Sequence, residues 1–88
     1  MFTKPRKKST RNNPERTKFR KELATLVKSV REKKKITQEE LADLAGLNSA
    51  YIGHLERGVY SPTLYVTWKI AEALGIPLQE LLQNFPKK

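Results

Sequence analysis

The sequence contains no cysteine and only one histidine, His54, among its 88 residues. The lack of cysteine excludes a disulfide framework and a thiolate metal site, and a single histidine disfavours a zinc site. No apolar run approaches the roughly 20 residues that a membrane-spanning helix needs. No apolar segment of the signal-peptide type follows the basic start of the chain. We therefore expect an intracellular, cytoplasmic protein without a membrane association.

The usual signs of enzyme chemistry are also missing from this chain. It has no second histidine, no glycine-rich phosphate loop and no pair of carboxylates in a plausible cleft. We expect a protein that is not an enzyme and that binds no cofactor or metal. Its length makes one small domain with a core of marginal size.

Positive charge is abundant but unevenly placed. Residues 1–35 hold 14 Lys and Arg against three Glu, a net charge of +11, whereas residues 36–88 hold four Lys and Arg against six Asp and Glu, a net charge of −2. A basic block attracts polyanions such as DNA, RNA or an acidic membrane. The alternative is that the block serves only as a solubilising tail.

The chain divides into a basic arm (residues 1–12), an all-α domain (13–85) and a frayed tail (86–88). The arm is nearly devoid of apolar residues, so we expect it to be disordered without a partner. Its five cations are Lys4, Arg6, Lys7, Lys8 and Arg11.

Five helices are predicted in the domain, each from a start signal. Helix 1 has an apolar face formed by Phe19, Leu23, Leu26, Val27 and Val30. The start signals are the Asn13-Pro14 pair, the Thr37–Glu40 capping box, Asn48, the Ser61-Pro62 pair and Pro77.

The segment 37–58 holds two short helical patterns separated by one glycine. Ala42 lets two backbones approach, and Gly46 permits the positive φ of a tight turn. Ile52 and Leu55 are spaced to place the second helix on the core. Two helices that cross steeply through a turn of three to four residues would have this spacing.

This segment resembles the helix-turn-helix of the lambda-repressor-like (Cro/cI or XRE) family of DNA-binding regulators. The resemblance extends from about Leu26 to Leu82, which is about two thirds of the chain. It implies a compact five-helix domain that inserts its third helix into the major groove of double-stranded DNA.

Transferred residue by residue, the resemblance implies a set of DNA contacts. The base-reading positions are occupied by Ser49, Ala50 and His54. The positions that contact the DNA backbone are occupied by Gln38, Asn48, Tyr51 and Arg57, to which the arm would add its five cations. Alternatives remain for three of these residues: Gln38 as a solvated first-turn residue, Ala50 as a helix former without a role, and His54 as an ordinary exposed histidine.

Arg31 and Glu56 match the family's structural ion pair, which links helix 1 to the end of helix 3; the alternative is two unrelated surface charges. Three positions depart from the family pattern. Gly53 replaces a small hydroxyl residue, Val59-Tyr60 lacks the basic residues common in this loop, and Pro77 replaces a polar cap. The arm is a candidate source for the charge that the loop lacks.

Helices 4 and 5 carry five apolar or aromatic residues, which are more than so small a core can bury. An exposed apolar patch of this kind usually marks an interface. The predicted homodimer would use Tyr65, Trp68, Leu78, Leu82 and Phe85. The alternative is that Trp68 completes the core.

We therefore expect a sequence-specific DNA-binding transcriptional regulator that binds a near-palindromic operator as a homodimer. Restriction–modification controllers, antitoxins and small phage repressors of the family fit this length, and a partner protein is a candidate regulator. The alternative is a protein-bridging coactivator with the same fold. RNA binding stays open, although the sequence has no sheet-type platform for stacking bases.

Overall fold

The computed structural model describes residues 13–83 and 85, and these form an all-helical domain. Its helices are α1 (Pro14–Lys33), α2 (Gln38–Ala45), α3 (Ser49–Glu56), α4 (Leu64–Ala73) and α5 (Leu78–Leu81). The predicted arm 1–12 and tail 86–88 lie outside the described residues. Within the described part of the chain, every helix is too short or too polar to cross a bilayer.

The first three helices begin where the sequence predicts. Asn13 Oδ1 accepts hydrogen bonds from the amides of Glu15 and Arg16 at 2.8 and 3.2 Å. Thr37 and Glu40 form both hydrogen bonds of the capping box. Each of these bonds satisfies an amide that the helix itself leaves without a partner. The predicted caps are confirmed.

The turn between α2 and α3 depends on Gly46. Its φ of +71° lies in the left-handed region, which side chains disfavour. The following amide, of Leu47, donates to the carbonyl of Ala42 at 2.8 Å and closes the helix end. Asn48 Oδ1 then accepts from the Ala50 amide at 2.7 Å and starts α3. The turn therefore fixes the direction of α3 relative to α2.

The predicted start of α4 at Ser61-Pro62 is wrong. The cap is Thr63, whose hydroxyl accepts from the Val66 amide at 3.1 Å. The Thr63 carbonyl also accepts from both the amide and the hydroxyl of Thr67, at 2.9 and 2.8 Å. Because Thr63 makes all three bonds, the helix begins after it and Pro62 stays in the loop.

The core forms where all five helices meet. Its largest fully buried side chains are Val27, Leu41, Ile52, Leu55, Ile70 and Leu81. The burial of Ile52 and Leu55 confirms that α3 packs by that face, against α1 and α2. Phe19 departs from the predicted apolar face of α1, because it remains 39% exposed and packs edge-on against Phe85 instead.

Candidate nucleic-acid interface

The exposed side of α3 carries the three residues predicted to read bases. Ser49, Ala50 and His54 are all exposed, while Ile52 and Leu55 of the same helix are buried in the core. Ala50 and His54 lie four residues apart and therefore share one face of the helix. All three side chains are thus accessible on a helix whose start is capped by Asn48.

Arg57 extends this face at the end of α3. Its Nη2 atom lies 2.8 Å from His54 Nδ1, one helical turn away. Its Nη1 atom lies above Gly53, at 3.4 Å from the position that a Cβ would occupy there. Gly53 is buried beneath Arg57 and Gln38, and a Cβ there would lie at van der Waals contact distance from both side chains. The sequence indicated neither contact.

Glu56 anchors the far end of α3 to α1. Arg31 Nε lies 2.8 Å from Glu56 Oε2, and Arg31 Nη2 lies 3.0 Å from Glu56 Oε1. A third donor of Arg31, Nη1, bonds the carbonyl of Ile36 at 2.8 Å. The two side chains are only 10% and 2% exposed. The structure thus brings together the two residues that the resemblance pairs.

The electrostatics of this pair follow from its geometry. The hydrogen bond to Glu56 raises the pKa of the Arg31 guanidinium, although burial acts in the opposite direction. The guanidinium therefore stays charged, and its planar fork matches the two carboxylate oxygens. The pair joins the end of α1, the turn before α2 and the end of α3.

Gln38 belongs to the same network. Its Nε2 atom donates to Glu56 Oε1 at 3.0 Å, and its side chain is half-buried. Sequence analysis predicted a phosphate contact for this residue. A primary amide has two N–H donors, so one donor and the amide at the start of α2 remain candidates for that contact.

Tyr51 and Tyr60 pack together beside α3. Their ring centroids are 5.0 Å apart, and the Tyr60 hydroxyl donates to the Tyr51 carbonyl at 3.1 Å. Burial raises the pKa of both phenols. Tyr51, which was predicted to contact the DNA backbone, therefore also packs against the loop after α3. The ring of His54 lies near the same loop, with its centroid 6.3 Å from that of Tyr60. The sequence marked this loop only by its lack of charge and missed Tyr60.

The residues predicted to form a dimer interface fall into two groups. Tyr65 and Trp68 are exposed on α4, by 65% and 43%, with ring centroids 6.0 Å apart. The other three, Leu78, Leu82 and Phe85, are half-buried and pack against the core.

The arm cations Lys4, Arg6, Lys7, Lys8 and Arg11 lie outside the described residues. Within residues 13–83 and 85, no three His, Cys, Asp or Glu side chains are grouped as metal ligands would be.

The sequence is similar to the sequences of known proteins. The profile of the family described as Helix-turn-helix (HTH_3) matches residues 27–81. The immunity repressor protein of Bacillus phage phi105 is 36% identical over 56 residues, which are 64% of this chain and 39% of that repressor. The chain thus spans about two fifths of that relative's length.

Solved structures with a similar fold include two restriction–modification controllers. The restriction-modification controller protein C.AhdI from Aeromonas hydrophila superimposes with a TM-score of 0.68 at 35% identity, over 70% of this chain and 94% of that one. The controller C.Esp1396I, solved as a tetramer with its natural 35 base-pair operator, superimposes with a TM-score of 0.71 at 25% identity, over 74% of this chain and 86% of that one.

Proposed function

The chain belongs to the Helix-turn-helix (HTH_3) family of DNA-binding transcriptional regulators, and on that premise we propose that it is a sequence-specific regulator that binds a near-palindromic operator as a homodimer. Its relatives include a phage repressor and restriction–modification controllers. A controller, an antitoxin or a small repressor would fit the proposal. Its activity would then be set by its abundance or by a partner protein.

The exposed face of α3 is the observation that carries this proposal. An α-helix with its side chains is about 10–12 Å in diameter, which fits the major groove of about 12 Å. Ser49 and Ala50 lie at the N-terminal end of α3, where helix-turn-helix proteins contact base edges. We assign base reading to these two residues and His54.

Most of the electrostatic attraction to phosphates is assigned to residues outside the helix-turn-helix, because residues 36–88 carry a net negative charge. The N-terminal amides of α2, with Gln38, offer one local contact. Asn48, Tyr51 and Arg57 surround the reading face and provide others. The larger share is assigned to the basic arm, whose cations can follow the DNA backbone without reading sequence.

The homodimer is proposed from the aromatic surface of α4. Tyr65 and Trp68 expose adjacent rings, and Leu64 and Val59 are also exposed. Apolar surface of this kind usually marks an interface. In the proposed dimer these rings pack against a second copy, with the outer edges of Leu78, Leu82 and Phe85 at the border. The operator complex of the C.Esp1396I tetramer supports assembly on DNA.

In vitro selection of duplexes bound by the full chain tests the function. The expected result is a single motif with two-fold symmetry and half-sites about one helical turn apart. A protein-bridging coactivator would be indifferent to base-pair substitutions in any bound duplex. Binding without sequence preference would therefore overturn the proposal and favour the bridging alternative.

Sedimentation of the free protein and of its complex with the selected duplex tests the dimer. Tyr65→Ser combined with Trp68→Ser should weaken association, because the pair provides the exposed aromatic surface. Leu44→Ser is a matched control, since Leu44 is an exposed apolar residue on α2. A wild-type chain that stays monomeric both at high concentration and on DNA would contradict the dimer.

A further inference from the structure

The contact between His54 and Arg57 determines what the imidazole offers to a base. Arg57 Nη2 lies 2.8 Å from His54 Nδ1, a distance typical of a hydrogen bond. A guanidinium has only donors and remains charged at all pH values relevant to proteins. Therefore Nδ1 must be the acceptor in this contact.

The proton of the neutral imidazole must then lie on Nε2. The opposite tautomer would direct an N–H group at the guanidinium and would lose the bond. The hydrogen bond made by one ring nitrogen sets the protonation of the other. As a result, the second ring nitrogen of the exposed His54 side chain, Nε2, is a donor.

Two neighbours border this arrangement. Gly53 lacks a side chain beneath the guanidinium, and Arg57 Nη1 lies 3.4 Å from where its Cβ would be. A side chain larger than a methyl group would push the guanidinium away. Tyr60 lies near the imidazole on the loop side, with ring centroids 6.3 Å apart, and bonds the Tyr51 carbonyl.

We propose that Arg57 is a specificity-determining residue that positions His54 as a hydrogen-bond donor, so that His54 selects guanine in the major groove. Guanine offers two acceptors there, N7 and O6, whereas cytosine offers an amino donor that would face another donor. Adenine and thymine each offer a single acceptor there, N7 beside an amino donor or O4 beside a methyl group, so His54 should bind them less well than guanine and cytosine least of all. This inference rests on the proposed function, because it assumes that α3 reads bases.

Binding to the selected operator and to its single-base variants tests the proposal. Wild type should prefer guanine at one position of each half-site, and His54→Ala should remove that preference. Arg57→Met should lower the preference for guanine over cytosine about fivefold or more, at the lower end of what one base contact contributes. In the His54→Ala background, Arg57→Met should not change base preference further.

The competing explanation is that Arg57 contacts only phosphate. Arg57→Met would then weaken binding to every variant equally, because phosphate contacts carry no sequence information. That outcome overturns the inference and leaves the proposed function intact. Arg16→Met is the matched control, since it removes the same charge from an exposed site on α1 and should not alter base preference.

The tautomer can be measured in the free protein, independently of DNA. His54 is the only histidine, so its two ring nitrogens give an unambiguous ¹⁵N spectrum. At mildly alkaline pH the wild type should show an unprotonated Nδ1 and a protonated Nε2. Arg57→Met should move both shifts towards the tautomer mixture of free histidine. Identical spectra for the two proteins would overturn the positioning role, whatever the DNA experiments give.

Discussion

The two sides of α3 differ in the contacts that their residues make. On one side, Ile52 and Leu55 are buried and Glu56 is bonded to Arg31 and Gln38. On the other side, Ser49, Ala50 and His54 face outward. Truncating the first group removes buried contacts, whereas truncating the second removes little packing. With base reading assigned to the exposed residues as proposed, stability and recognition lie on different sides of one helix of two turns, and substitutions should separate them.

The largest effect is expected from the ion pair. Arg31→Ala and Glu56→Ala should each lower the free energy of unfolding by roughly 3–5 kcal/mol, because each leaves a buried charge without its partner. The double variant should lose much less than the sum of the two, as denaturant unfolding would measure.

Lys18 and Glu22 provide a matched control for this cycle. Their ion pair on α1 is longer, at 3.4 Å, and its lysine is exposed. Lys18→Ala should therefore cost no more than about 1 kcal/mol. Small and additive effects at Arg31 and Glu56 would contradict the view that this side of α3 carries the stability.

Deletion of residues 1–12 should affect binding without affecting stability. It removes five positive charges and no negative charge. If all five neutralise phosphates, the slope of log K against log salt should shrink by about 4.5, at about 0.9 per contact. Most of the loss should be common to specific and non-specific DNA. An unchanged slope on both kinds of DNA would identify the segment as a solubilising tail.

Substitutions on the outward side of α3 should change sequence preference. Ser49→Ala and His54→Ala should each weaken binding to the selected site, and at least one should shift base preference by about 1–3 kcal/mol. Their unfolding free energies should stay close to that of the wild type. Ser29→Ala, at an exposed serine of α1, is the matched control. An unaltered motif in both variants would mean that α3 is not the reading helix.

The smallest effect is expected from Tyr60, which lies in the loop after α3 and bonds the backbone of that helix. Tyr60→Phe removes the hydroxyl that bonds the Tyr51 carbonyl and should cost about 1 kcal/mol. Burial, and to a lesser degree the charge of Tyr51, raise the pKa of Tyr60 in the folded state. Its contribution is therefore present below about pH 10 and is lost as the pH rises through the raised pKa.

Denaturant unfolding across the alkaline range measures this contribution. The unfolded chain loses its phenolic protons first, so the stability of the wild type should fall above about pH 10. Tyr60→Phe should show a shallower fall. Tyr65→Phe removes an exposed hydroxyl and should follow the wild type. Equal alkaline losses in all three proteins would contradict the role of Tyr60.

The sequence was sufficient to predict those features that depend only on neighbouring residues. The caps Asn13, Thr37 and Asn48 bond amides two or three residues away, so their residue types alone indicate them. The predicted start of α4 was wrong because two local signals compete there. Pro62 favours an early start, but the hydroxyl of Thr63 bonds the helix and settles the boundary at the later residue.

Contacts between distant or long side chains were harder to predict. The pairing of Arg31 with Glu56, 25 residues apart, came from the family resemblance and from no pattern of spacing. The bonds from Gln38 to Glu56 and from Arg57 to His54 depend on rotamers, which a sequence does not specify. In the sequence, Gly53 is only a departure from the family pattern. In the structure, the guanidinium of Arg57 lies above it.

The exposed tryptophan of α4 gives the molecule an optical label. Trp68 is the only tryptophan in the sequence, and its ring is adjacent to that of Tyr65. If a second chain covers this face, the indole passes from water to an apolar contact and its emission shifts to shorter wavelength. Intrinsic fluorescence can then follow self-association without a dye, while substitutions on α3 leave the signal unchanged.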